Sequence, residues 1–295
     1  MLVLAALTAA LGAGVGTILQ MSLLRTGGFT ITVANYRGVN VPAAGGVVLA
    51  GTLLLVEGPF AVAALANPAA SSSGAAAIGR SFLSADHAGF LITVLGFFLL
   101  GTIDDASSGG SKGLRGHLRS LSEGRLTTGI LKMAGGVAVG LVAGALWELR
   151  LLPALVDALL IALSANLLNL LDLRPGRAVK VFLPGWLVIA GLSLSSPYVA
   201  ISATIAGAAA IWLWADLRER GMLGDAGSNL LGSVLGAGMA LGLFDSAKIV
   251  AIGVLLILTI SSEVWSFNAF IERVPPLRWL DGLGRRMYER EPNRS

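Results

Sequence analysis

The chain has 295 residues, 55% of them hydrophobic and only 13% charged, with a formal net charge of +4 and a mean hydropathy of +0.80. A soluble domain of this size cannot hide so much apolar surface, and the lack of cysteine excludes a disulfide framework or a thiolate metal site. The apolar residues fall in long blocks without period-two alternation, which excludes a β-barrel and leaves an all-α, polytopic transmembrane bundle.

In chain order the apolar blocks cover 2–24, 43–66, 90–103, 130–146, 151–171, 181–194, 198–214, 229–244 and 249–260. A helix needs roughly 17–25 residues to cross the hydrocarbon core, and small flanking residues extend the shorter blocks, so the pattern predicts about nine spans. The first block lacks the positive start of a signal peptide and reads as a helix. Residues 67–86, with Ser71, Ser72, Ser73 and Gly74 at their centre, read as a flexible connection. The many glycines and alanines of 232–242 suit close helix packing in lipid. Residues 1–266 thus form the membrane domain and 267–295 a basic C-terminal segment.

Numbering the loops alternately gives one set at 25–42, 104–128, 172–180, 216–228 and the segment from 267. With Lys132 assigned to it, this set holds all of the 21 basic residues except Arg80, Arg150 and Lys248. By the positive-inside rule these loops are cytoplasmic, with the N-terminus outside and the C-terminus inside. The same rule accounts for the net charge without nucleic acid. The run from Arg285 to Arg294 fits anionic lipid headgroups.

Three acidic or amide constellations lie at the cytoplasmic ends of spans. The first is Asp104-Asp105, followed by Lys112. The second is Asn166, Asn169 and Asp172, whose spacing of three puts them on one helix face. The third is Gly224-Asp225-Ala226-Gly227-Ser228-Asn229, a glycine-rich turn running into a helix. Carboxylates converging at the mouth of a bundle face its interior or a wet cavity and suit Mg²⁺, which takes a few carboxylates plus phosphate oxygens. Free N–H groups at the helix N-terminus near Ser228 favour anions, and neighbouring Arg and Lys can neutralise a diphosphate. Together these groups point to phosphoryl transfer at the membrane surface. Taken singly, an Asp pair at a helix end is a solvated terminus, Asn-x-x-Asn-x-x-Asp holds helices together, and Gly-Asp-x-Gly-Ser caps a turn. Glu57, Asp157 and Glu263 lie within spans and are functional candidates by default, with Glu263 close to the cytoplasmic end. His87 and His117 read as loop residues, not ligands.

The order of these motifs resembles the polyprenyl-phosphate N-acetylhexosamine-1-phosphate transferase superfamily, which includes phospho-N-acetylmuramoyl-pentapeptide transferase. The resemblance runs from Arg37-Gly38 and Pro42–Gly46 through Gly101–Asp105, Lys112-Gly113-Leu114, Arg125–Lys132 and Asn166–Asp172 to Gly224–Gly232. It implies Mg²⁺-dependent transfer of a sugar-1-phosphate from a UDP-sugar to undecaprenyl or another polyprenyl phosphate, with release of UMP. The setting it implies is cell-envelope glycan synthesis at a bacterial inner membrane, and it leaves a homodimer open. By position, Asp225 resembles the principal metal ligand and Asp104 and Asp105 the catalytic acid pair. Lys112, Asn166, Asn169, Asp172, Arg37 and Lys132 resemble substrate-binding residues.

The loop after Asp172 departs from the family pattern. Pro175 stands where a second acid is usual, Arg174 and Arg177 are added, and the family's late histidine cluster is missing. The two arginines make this loop more attractive to anions and join the candidate substrate-binding set. The alternative is a non-catalytic or substrate-divergent member that binds polyprenyl phosphate or serves as a partner subunit. A transporter would show inverted repeats and broken spans, and neither is present.

Overall fold

The computed structural model describes residues 2–26, 31–66, 84–107, 128–194 and 196–285; Lys112 lies outside them. Among the described residues, nine long helices follow the nine apolar blocks. They are α1 (Leu2–Thr26), α2 (Gly45–Ala66), α3 (Ala85–Ala106), α4 (Thr128–Trp147), α5 (Leu151–Leu171), α6 (Arg177–Leu192), α7 (Pro197–Leu217), α8 (Gly224–Gly242) and α9 (Asp245–Val264). Two short helices follow, α10 (Phe267–Arg273) and α11 (Pro275–Gly282).

Seven of the nine, all but α6 and α8, are long and apolar enough to cross a membrane. The chain is a polytopic helical membrane protein, with fewer self-evident spans than the apolar blocks suggested. The shortfall has two physical causes. Helix α6 has 16 residues with Pro184 inside it, and at about 1.5 Å per residue it falls short of a hydrocarbon core of about 30 Å. Helix α8 is rich in Gly and Ala, and nearly all of it is buried. A helix surrounded by other helices need not satisfy lipid, and small residues let backbones approach.

That approach is close. A Cβ on Gly232 would lie 2.4 Å from the Ser164 carbonyl oxygen, and one on Gly236 would lie 2.5 Å from Ile161 Cα, both on α5. Gly232→Ala is therefore expected to destabilise the bundle by about 1–3 kcal/mol, the usual range for overpacking. A lowered melting temperature in detergent checks this, and an unchanged one would mean that α5 and α8 separate freely.

The outer faces are apolar. In α9 the side chains of Ile249, Val250, Val254, Ile257 and Ile260 are exposed, as lipid contact requires. Lys248 Nζ reaches Asp157 Oδ1 at 2.7 Å and ties α9 to α5. Thr204 Oγ1 donates to Glu57 Oε1 at 3.0 Å between α7 and α2. Glu57 and Asp157 thus have structural partners.

The structure adds one element to the expected fold and corrects one residue. The fold is all-α, as expected, with one small addition, the antiparallel hairpin of β1 (Thr32–Ala34) and β2 (Asn40–Pro42), in which Val33 lies opposite Val41. Its turn is closed by Asn35 Oδ1, which accepts from the Arg37 and Val39 amides at 2.9 and 3.0 Å, and by Gly38 at φ +75°. Such Asx turns use the short amide side chain in place of backbone. His87, read as a loop residue, sits instead in the first turn of α3 and is buried. The third block underestimated this helix because Ser84 caps it, accepting from the His87 amide at 3.2 Å.

Candidate functional site

The site lies at the basic end of the bundle, where α3, α5 and α7 end and α4, α6 and α8 begin. Two glycines let it close. Gly224 has φ +67°, and a Cβ there would meet Asp105 Oδ2 at 2.6 Å. A Cβ on Gly101 would lie 2.3 Å from the Asp225 carbonyl oxygen. The end of α3 therefore rests directly on the first turn of α8. The segment before α2 braces the same turn, with Met222 N donating to Pro42 O at 2.9 Å and Gly45 N to Met222 O at 3.1 Å.

The two adjacent aspartates at the end of α3 have different tasks. Asp105 Oδ1 accepts from the Asp225 amide at 2.8 Å and Oδ2 from the Ala226 amide at 3.0 Å. It caps α8 from another helix, so the anion expected at this helix N-terminus is the protein's own carboxylate. Asp104 faces the other way. Lys132 Nζ, reaching in from α4, lies 3.3 Å from Asp104 Oδ2 and 2.7 Å from Asp225 Oδ2. One point in space thus draws two carboxylates onto a single cation.

Asn169 on α5 completes the group. Its amide is satisfied with the oxygen toward Lys132 Nζ at 2.6 Å and the nitrogen toward Asp225 Oδ1 at 3.0 Å and Ser228 Oγ at 3.2 Å, an orientation fixed by the surrounding donors and acceptors. Ser228 Oγ also lies 2.9 Å from the Gly224 carbonyl oxygen. Asn166, one turn back on α5, is half-buried.

Asp225 also forms part of the wall of a cavity of about 570 Å³. Asp172, Asp216 and Glu219 line it with Arg174, Tyr36 and Asn268, so carboxylates outnumber cations. Burial pushes the Asp172 carboxyl well above its ordinary value, and the charges of Asp216, Asp225 and Asp105 add to the rise. A divalent cation relieves such crowding. Among the described residues no three carboxylates or imidazoles close on one coordination point. Mg²⁺ does not need three, because it is commonly held through one or two carboxylates with phosphate oxygens. Asp104 and Asp225 fit that donor set, with the Asn169 amide oxygen beside them.

The remaining candidates sit at the rim. Arg37, in the hairpin turn, lies 3.5 Å from Glu219 Oε2. Glu219 also accepts from Asn35 Nδ2 at 3.0 Å and the Tyr36 hydroxyl at 3.1 Å. Arg174 stacks over Tyr36, 4.6 Å from the ring centroid, and pairs with Glu272 at 3.2 Å, so it is held at the cavity wall. Arg177 is buried, with Nε and Nη2 on the Asp281 carboxylate at 2.8 and 2.9 Å and Nη1 on Asn268 at 2.5 Å. Its charge is spent within the protein and fastens α11 to the start of α6.

Burial pushes the Asp281 carboxyl up, but the hydrogen bonds and charges of Arg177 and Arg285 outweigh it and hold the group below its ordinary value. The sign follows from linkage: a depressed acid adds stability above its unfolded value, about pH 4, and loses it as pH falls through the folded value. The clasp on α11 is thus expected to be complete at neutral pH and to open only below about pH 4. Asp281→Asn should loosen it at pH 7 by roughly 1–3 kcal/mol. Proteolysis of the C-terminal segment, compared at pH 7 between wild type and variant, checks this; equal rates would refute it.

Asp216 and Glu219 escaped the sequence reading. Asp216 Oδ2 accepts from the Gly176 amide at 3.0 Å, holding the loop between α5 and α6 against α7. An acid just beyond the end of the apolar block 198–214, within reach of the same helix, is the signal that could have found it. No family model matches the chain, and no curated protein matches it in sequence.

Proposed function

We propose that the protein is a Mg²⁺-dependent phosphoglycosyl transferase that moves a sugar-1-phosphate from a UDP-sugar to a polyprenyl phosphate and releases UMP. The observation that carries this reading is the convergence of Asp104, Asp225 and Asn169 on the Lys132 ammonium, beside an acid-rich cavity at the bundle's basic end. In the reaction, a polyprenyl phosphate oxygen attacks the β-phosphorus of the nucleotide sugar. The bond to the UMP oxygen breaks and UMP departs with the electron pair. Mg²⁺, when bound, supplies neutralisation of the charge that builds on the phosphate oxygens. Asp104 and Asp225 hold the cation point, Asn169 orients Asp225, and Lys132 is placed to turn from the carboxylates toward a phosphate. Arg174 and Tyr36 border the space for the donor.

The finer membrane reading supports the same function. We take all nine long helices as passes, with the N-terminus outside and the site on the cytoplasmic side of a bacterial inner membrane, facing the nucleotide pool. The alternating direction in which helix ends meet at the site supports this count. A second reading, a member that binds polyprenyl phosphate without turnover, is favoured by one feature: Lys132 already fills the cation point. UMP release from UDP-sugars by purified protein with undecaprenyl phosphate and Mg²⁺ separates the two. Release that needs both lipid and metal supports the transferase, and lipid binding without release supports the second reading.

A further inference from the structure

The contact between α1 and α7 changes character along its length. Thr8 Oγ1 donates to the Ala200 carbonyl at 2.6 Å. A Cβ on Gly12 would lie 2.1 Å from the Thr204 carbonyl oxygen, and one on Gly16 would lie 3.2 Å from Ala208 Cα. Each step of four along α1 matches a step of four along α7, so the helices run parallel with their backbones almost touching. The next positions on this face of α1 are Gln20 and Leu24, which share a cavity with Ile211 and Trp214 of α7. These side chains are too large for backbone contact. Between them lies a second cavity, of about 660 Å³, at the basic end of the two helices.

The cavity is two-natured. Met21, Leu24 and Ile211 make its wall apolar, while Arg25 and Arg220 stand at its mouth. Trp214 carries two guanidinium groups, Arg218 and Arg220, at 4.3 and 4.8 Å from its ring centroids. No carboxylate pairs with Arg25, Arg218 or Arg220 among the described residues. Gln20 is only 6% exposed and lines the cavity, yet its Oε1 has no hydrogen-bond partner. A buried amide oxygen without a partner costs free energy that a rearranged amide and a ligand group can recover. Gln20 lies five residues before Arg25, about 7.5 Å deeper along the helix, where the ester carbonyls of a phospholipid lie below its phosphate. Turning the amide presents its N–H to such a carbonyl.

We propose that this cavity holds one anionic phospholipid of the surrounding bilayer. An acyl chain lies in the apolar cleft, the ester region meets Gln20, and the phosphate rests among Arg25, Arg218 and Arg220. The site is separate from the acid-rich cavity and does not depend on the transferase reading.

Native mass spectrometry of the full chain in mild detergent, titrated with dioleoyl phosphatidylglycerol, tests the proposal. Dioleoyl phosphatidylcholine, inorganic phosphate and undecaprenyl phosphate serve as comparison ligands. One tightly held phosphatidylglycerol is expected, about tenfold preferred over phosphatidylcholine and not displaced by inorganic phosphate. The Arg25→Gln/Arg220→Gln variant should lose that preference. Gln20→Leu, which keeps every charge, should weaken binding by about threefold. Brominated phosphatidylglycerol should quench tryptophan emission in the wild type and less so in Trp214→Phe. Equal affinity for the two phospholipids, or displacement by inorganic phosphate, would overturn the proposal. Stronger binding of undecaprenyl phosphate at the same place would also overturn it, by making the cavity a substrate site.

Discussion

Replacing Asp225 by Asn is expected to lower UMP release by at least about a hundredfold while leaving the fold intact, a loss on the scale of removing one preorganised charge from a phosphoryl-transfer site. The two halves of this expectation rest on different atoms. The Asp225 carboxylate meets Lys132 and Asn169 at the cation point, so neutralising it removes half of the anionic donor set proposed for Mg²⁺. Its backbone amide receives the cap from Asp105, and the substitution leaves that bond in place. The melting temperature of the variant should therefore stay close to that of the wild type. Asp104→Asn should behave alike, since Asp104 shares the same ammonium. Release within a few-fold of wild type in either variant would take that residue out of the reaction.

The neighbouring change, Asp105→Ala, is expected to act on the whole site through the fold. It strips two backbone N–H groups of a charged acceptor at the buried start of α8. Hydrogen bonds to charged groups contribute about 1.5–3 kcal/mol each, and orphaned buried donors add to the cost. The expected destabilisation is about 3–5 kcal/mol, accompanied by loss of release because Asp225 loses its footing. The contrast is with Asp104: of two adjacent aspartates, one is expected to act through stability and the other through the proposed chemistry. A thermal melt and an activity assay on both variants settle the division. An Asp105 variant that melts like wild type would show that the cap contributes nothing.

Much of the fold was legible in the sequence because lipid imposes a strict length and polarity on a helix. The nine apolar blocks all became helices, and the small residues of 232–242 did mark a tightly packed one. What stayed hidden was short or relational. Strands of three residues, as in Thr32–Ala34, leave no periodicity to detect. Asp104 and Asp105 look alike in sequence, and only the direction each leaves the end of α3 separates cap from cation point. Arg177 read as an anion-binding residue of its loop, but its carboxylate partner Asp281 lies far along the chain. Glu219, with its positive φ of 53°, became a hub for the hairpin only once that hairpin existed. The convergence of Asp104, Lys132, Asn169 and Asp225 was foreseeable as a gathering at one end of the bundle, though not as one shared ammonium.

The composition of α8 has a consequence for how the protein is made. A segment with six glycines among 19 residues and an aspartate in its first turn partitions poorly into hydrocarbon by itself, since insertion is driven by large apolar side chains. Its strongly apolar neighbours α7 and α9 enter readily and flank it in the chain. The helix bearing Asp225 is thus a passenger in biogenesis, drawn into place when α3 and α5 are already there to receive it. Delivery of Asp225 and completion of the bundle then become a single step.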